Sequence, residues 1–207
     1  MRFTPKLRRA ALPVLLLAVL AAACLMGGTA GSSAYTTAAL RTHNVITAGN
    51  IQIALRDQQE RDGQLVDWPA GQGIAGAMPG QSVSKVVFVT NTGKSDAWVR
   101  LRLTMTLNGA AEPSPGEYLH KDAAGTLQPG YNDKDWLYDA AGGYYLCREP
   151  LAPGASSPAL IEGVRLNGET LGSDQAGAAV HVTAAAQGVQ ARNNGASVGQ
   201  ATGWPAA

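Results

Sequence analysis

Trp98-Val99-Arg100-Leu101-Arg102-Leu103-Thr104-Met105-Thr106-Leu107 is the stretch that decides the fold. Val99, Leu101, Leu103, Met105 and Leu107 recur at every second position. Trp98, Arg100, Arg102, Thr104 and Thr106 fill the alternate ones. Side chains of a β-strand point to opposite faces in turn, so the run reads as a strand with one apolar and one polar face. That division is typical of an antiparallel sheet packed on one side only. Asn108-Gly109 ends it with a turn pair.

The same period continues to either side. Ile51, Ile53 and Leu55 alternate with Gln52 and Ala54. Val83 to Thr90 is almost continuously β-branched or aromatic, as in a strand buried on both faces, and stops at Asn91-Thr92-Gly93-Lys94. Residues 109–134, rich in Gly, Pro, Asp and Lys, read as a long loop. Trp136–Asp139 and Tyr144–Cys147 flank Ala140-Ala141-Gly142-Gly143 and predict a hairpin. Pro150 and Pro153-Gly154 interrupt the chain before a strand over Leu160 to Leu166. In the last strand Val180, Val182 and Ala184 alternate with His181, Thr183 and Ala185. A Gly/Ala-rich tail, 193–207, reads as flexible. There is no long amphipathic helix and no internal repeat. About seven or eight short strands between turns predict an all-β, jelly-roll-like sandwich over residues 46–192.

The N-terminus has a different character. Arg2, Lys6, Arg8 and Arg9 precede an uncharged run from Ala10 to Met26, and small residues follow. Basic, apolar and small in that order is the layout of a secretory signal helix over 1–34, with Ser32-Ser33-Ala34 offering a cleavage site between Ala34 and Tyr35. An uncleaved anchor or acylation of Cys24 are alternative modes of membrane attachment. Without residues 1–34 the chain keeps 12 of its 16 basic residues against all 15 acidic ones, so its net charge falls from +1 to about −3. A mildly acidic chain is a poor partner for nucleic acid or anionic lipid. It also keeps only Cys147 of the two cysteines, which excludes an internal disulfide and reads as a small buried hydrophobe. The expected location is secreted, on the cell surface or in the extracellular matrix.

Catalytic constellations are missing from the sequence. His43, His120 and His181 are scattered and form no H-E-x-x-H. There is no G-x-S-x-G elbow, no Gly-rich phosphate loop and no His/Asn context for Cys147. Asp133, Asp135 and Asp139 surround Trp136 but lack the register of a calcium loop, and read as turn formers. No catalytic, metal or cofactor residue is assigned. Trp98, Arg100 and Arg102 share the polar strand face. They form either a contact face for a partner protein or glycan, or a second buried face with the arginines lying along Trp98.

Four segments, taken in order, resemble the TasA/camelysin family. Ala34-Tyr35-Thr36 leads to Thr47-Ala48-Gly49-Asn50-Ile51-Gln52-Ile53. Val87-Phe88-Val89-Thr90-Asn91-Thr92-Gly93 precedes Asp96-Ala97-Trp98-Val99-Arg100. Trp136-Leu137-Tyr138 runs through Gly143-Tyr144-Tyr145 to Leu151-Ala152-Pro153-Gly154. Val182-Thr183-Ala184-Ala185-Ala186 is followed by Val189-Gln190-Ala191, with Gln187-Gly188 read as a short insertion. Thr37 stands where an acidic residue is common in the family, and Val45-Ile46 near its usual Phe. The resemblance implies a jelly roll, export through a SipW-type alternative signal peptidase and, in some relatives, self-association into biofilm-matrix fibres. There the N-terminal segment, here residues 35–45 with Tyr35, Thr36, Thr37 and Leu40, adds as a strand to the next subunit. The uncharged run Tyr35 to Leu40 suits edge pairing. Camelysin-like relatives have been classed as metallopeptidases, so a secreted metallopeptidase is the alternative, with a surface adhesin as a third.

Overall fold

The decisive run is a strand in the computed structural model, which describes residues 51–74, 78, 80–110, 114–168 and 179–205. In this strand, β4 (Ala97–Leu107), the alternate residues Val99, Leu101, Met105 and Leu107 are buried and Leu103 packs against the core. Asn108 and Gly109 both take positive φ, and Leu107 and Ala110 exchange backbone hydrogen bonds across them. This is the two-residue turn that suits the twist of paired strands.

Nine further strands are described. They are β1 (Ile53–Arg61), β2 (Gln64–Asp67), β3 (Ser82–Asn91), β5 (Gly116–Lys121), β6 (Leu127–Pro129), β7 (Trp136–Asp139), β8 (Tyr144–Cys147), β9 (Ile161–Leu166) and β10 (Val180–Gln190). All the strand pairs are antiparallel. The larger sheet runs β2-β1-β3-β9-β5-β6 and the smaller β10-β4-β8-β7. The protein is an all-β sandwich. Ile51, Ile53, Val87, Val89, Leu101, Trp136, Leu160 and Ile161 pack in its main core. Among the described residues no helix is long and apolar enough to cross a membrane.

Two buried polar features shape this core. Between β3 and β4 the chain passes from the larger sheet to the smaller, and the fully buried Asn91 holds that corner. Its Nδ2 donates to the carbonyls of Ser95 (2.8 Å) and Leu151 (2.7 Å), and its Oδ1 accepts from the Gly93 N–H (2.9 Å). Such satisfaction makes a buried amide tolerable. Trp136 likewise gives its indole N–H to the Pro158 carbonyl (3.2 Å).

Several expectations are corrected. Residues 109–134 are not one loop, because β5 and β6 lie within them and extend the larger sheet beyond β9. Tyr118, Leu119, Leu127 and Tyr131 are the only large apolar or aromatic residues there, and Leu119 is fully buried. The Asp122 carboxylate shapes the turn, accepting from the Ala124 and Thr126 N–H groups and from Gln128 Nε2. The first strand runs on to Arg61 and returns as β2 through Asp62-Gly63, both at positive φ. Gln187 and Gly188 lie within β10, in register opposite Arg100 and Val99. Glycine at 188 lets β10 approach Ile53 closely, since a Cβ there would stand 3.0 Å from Ile53 Cγ2.

The C-terminal tail is not loose either. Residues 198–200 form a 3-10 turn whose Val198, with Ala201, packs on Trp98, Tyr144, Leu146 and Val189. Asn194 ties the loop by donating to the Gln190 and Thr202 carbonyls and accepting from the Thr202 N–H. The smaller sheet's outer face carries an apolar patch around Trp98. Small tail residues lie close against it, and Val198 and Trp204 serve as anchors.

Candidate functional site

The segments at issue in the signal reading, with Ala34, Tyr35, Thr36, Thr37 and Leu40, and also His43, lie outside the described residues. Three places within them hold side chains of chemical interest.

The first is the outer face of β4. Trp98 is only 6% exposed, covered by the tail, with its indole N–H on the Asn194 carbonyl at 3.1 Å. Arg100 lies between two rings, its guanidinium carbon 3.8 Å from the Tyr144 centroid and 4.4 Å from that of Trp204. Its Nε and Nη2 both donate to Gln187 Oε1, at 2.8 and 2.6 Å. Burial draws its pKa below the ordinary value. Arg102 sits 4.2 Å from the Tyr144 centroid and donates to the Gly142 carbonyl at 2.8 Å. Both guanidinium groups are therefore engaged within the chain, stacked on Tyr144 and Trp204 rather than along Trp98. The contact-face reading of Trp98 is corrected to a covered face, because an indole that donates inward and lies under a packed tail presents nothing to a partner.

The second place is a buried ion pair that sequence reasoning missed. Ile53, Leu55 and Asp57 face inward on β1, and Val87 and Val89 on β3, with Lys85 two positions before Val87 on the same face. Lys85 Nζ lies 2.7 Å from Asp57 Oδ1 and 2.8 Å from Oδ2. The two side chains are 3% and 16% exposed. The Trp68 ring covers the ammonium, 4.1 Å from its centroid, and the Trp68 backbone N–H binds the Asp57 carbonyl at 2.8 Å. Burial raises the Asp57 pKa against the lowering pull of Lys85, and lowers that of Lys85 against the raising pull of Asp57. Each group is thus pressed towards its neutral form. A cleft of about 130 Å³ opens beside Asp57 and is lined also by Gln72, His181 and Thr183. The signal was available in the sequence as two opposite charges at apolar parity, Asp57 after Ile53 and Leu55 and Lys85 before Val87 and Val89.

The third place is an edge. β10 pairs with β4 along its whole length, from Val180 opposite Leu107 to Gln190 opposite Ala97. On its other side, among the described residues, there is only the bridge from Val180 to Ile74. β10 is 11 residues long and contains no Lys, Arg, Asp, Glu or Pro. The other edges differ. β2 and β7 have four residues each and end in Asp, and β6 has three and ends in Pro129. Short length, charge and proline are the devices that protect a sheet edge from further pairing, and β10 uses none of them.

The remaining candidates are brought together nowhere. His120 lies on β5 of the larger sheet and His181 on β10 of the smaller. Among the described residues no three His, Cys, Asp or Glu side chains are grouped to hold a metal. Asp135 accepts from Asn132 Nδ2 and Asp139 from the Ala141 N–H, both as turn formers. Cys147 is buried, and burial pushes its thiol up to about 11.

No protein-family model, no curated protein and no solved structure matches this chain.

Proposed function

We propose that this chain is an exported structural protein of the TasA/camelysin type, a cell-surface or matrix subunit that joins its neighbours by strand addition at β10. The observation that carries the reading is the edge of β10, unpaired among the described residues beyond the Ile74 bridge: long, uncharged and free of proline. A strand laid along such an edge gains main-chain hydrogen bonds without needing a shaped pocket. The donor is residues 35–44, uncharged from Tyr35 to Leu40, freed when a SipW-type signal peptidase cuts after Ala34. Nine positions of β10, 181–189, lie beyond the Ile74 bridge and before the edge ends at Gln190. They span about 30 Å at the usual strand rise, which ten extended residues match.

The test compares the chain beginning at Tyr35 with the same chain carrying Thr183→Lys. Thr183 is exposed on β10, so the added charge blocks pairing with little effect on the fold. Light scattering and negative-stain microscopy should show concentration-dependent oligomers or filaments for the first and a monomer for the second, with equal thermal stability. A monomer at every concentration and pH for the unmodified chain would sink the assembly reading.

A further inference from the structure

We propose that Lys85 and Asp57 join in an intramolecular isopeptide bond, a covalent cross-link between neighbouring strands β1 and β3. An ion pair at this place has an unusual combination of features. Both oxygens of Asp57 lie within 2.8 Å of Lys85 Nζ, so amine and carboxyl are already in contact. Lys85 is almost wholly shielded from water, and the Trp68 ring closes over it. The strands that carry them are held in register by the pairing of Asp57 with Val87 and Gln58 with Val86. Holding reactants in contact replaces a bimolecular encounter with a unimolecular step, equivalent to effective concentrations on the order of 10⁵ M or more.

The chemistry needs no cofactor and no oxidant. A proton passes from the Lys85 ammonium to the Asp57 carboxylate, giving amine and carboxylic acid. Burial pushes both groups towards these neutral forms, raising the Asp57 pKa and lowering that of Lys85, against the pull of their mutual attraction. A desolvated lysine is the activated form of this nucleophile. The Nζ lone pair attacks Cγ. One carboxyl oxygen leaves as water, carrying the transferred proton and one from the amine, and an amide remains. Among the described residues, Asp67, whose charge bears on Asp57, and His181, which lines the same cleft, are titratable groups beside the pair. They are the candidates to relay the proton, and the cleft of about 130 Å³ beside Asp57 receives the water. The bond would give a chain without an internal disulfide a covalent brace.

Peptide mapping of the whole purified chain decides the matter. Trypsin cuts after Arg56, Arg61 and Lys94. With the bond in place, cleavage at Lys85 fails and peptide 57–61 emerges joined to peptide 62–94, lighter than the sum of the two by one water. Fragmentation must place the branch on Lys85 and Asp57, because Asp62-Gly63 in the second peptide is itself prone to lose water as a succinimide. Lys85→Arg keeps the positive charge but supplies no nucleophile, so it should abolish the branched species and leave separate peptides. Asp57→Ala should do the same. Complete cleavage at Lys85 with Asp57 unmodified in the wild-type chain, or a branched species that persists in Lys85→Arg, would overturn the proposal.

Discussion

Replacing Trp98 with alanine tests whether the outer face of the smaller sheet is covered or free. Trp98 packs against Val189, Val198 and Ala201 and donates to the Asn194 carbonyl. Truncating a buried tryptophan costs about 3–5 kcal/mol from lost transfer energy and the cavity left behind. The lost hydrogen bond contributes about 1 kcal/mol within that figure, because the Asn194 carbonyl is free to turn to water once the tail lifts. A one-sided cover can partly collapse, so we predict a loss of about 3 kcal/mol, the low end of the range. For a domain of this size that corresponds to a drop in Tm of roughly 6–12 °C. Urea unfolding followed by circular dichroism measures it, with Thr104→Ala, an exposed change on the same face, as the near-neutral control. Hydrogen exchange adds the local readout: the Ala201 and Thr202 amides, bonded to the Val198 carbonyl and the Asn194 side chain, should lose protection. A loss under about 1 kcal/mol with unchanged tail exchange would refute the packing and return Trp98, Arg100 and Arg102 to the status of an open contact face.

Three further outcomes follow from local geometry. Gly188→Val places a branched side chain against Ile53 and Ile51, and should cost about 1–3 kcal/mol in urea unfolding by overpacking; a neutral result would mean that β1 does not lie against β10. Cys147, buried and with its thiol pushed up to about 11, should resist a thiol reagent at pH 8 until the chain unfolds, so its labelling rate should track unfolding; immediate labelling of the folded protein would contradict this. Asp122 has its pKa lowered, chiefly by the Thr126 N–H and then by Gln128, so its contribution is present above the ordinary aspartate pKa and is lost as pH falls through the lower folded value. The Ala124 and Thr126 amides should therefore exchange faster in that acid window, and Asp122→Asn should remove the pH dependence.

The sequence shows its strands wherever one face is apolar and the other polar. β4 was legible residue by residue, and so were the β7–β8 hairpin and the Asn108-Gly109 turn. Composition misled where small or polar residues occupy packed positions. β5 and β6 hide among Gly, Lys and Asp because their stability comes from neighbours β9 and Asp122 rather than from their own apolar content. The tail hides because its Gly/Ala-rich composition looks loose in sequence, although Val198 and Ala201 pack with Trp98. Asp57 and Lys85 were visible as charges at inward parity, but nothing in one dimension says that two such positions, 28 apart, meet.

The proposed strand addition to β10 leaves one question of mechanism, namely whether the added strand acts as a separable ligand for the edge. If it does, a synthetic peptide of Tyr35 to Asn44 should bind a chain that begins at Ile46 and should compete with assembly of the chain that begins at Tyr35. Pairing through the main chain predicts that exchanging Thr36 for Ser changes little, whereas proline at Thr37 removes a donor N–H and disrupts the extended pairing. Thr183→Lys on the receiving chain should abolish binding. Hydrogen exchange reads the site directly, since open-edge amides within 181–189 should gain protection when peptide is added, while those of β6 and β7 should not. Protection that appears at β7, where Leu137 and Tyr138 are exposed, would move the assembly edge to the opposite side of the same sheet. Peptide binding that survives both Thr37→Pro and Thr183→Lys would show that side chains, not the free edge of β10, hold the subunits together.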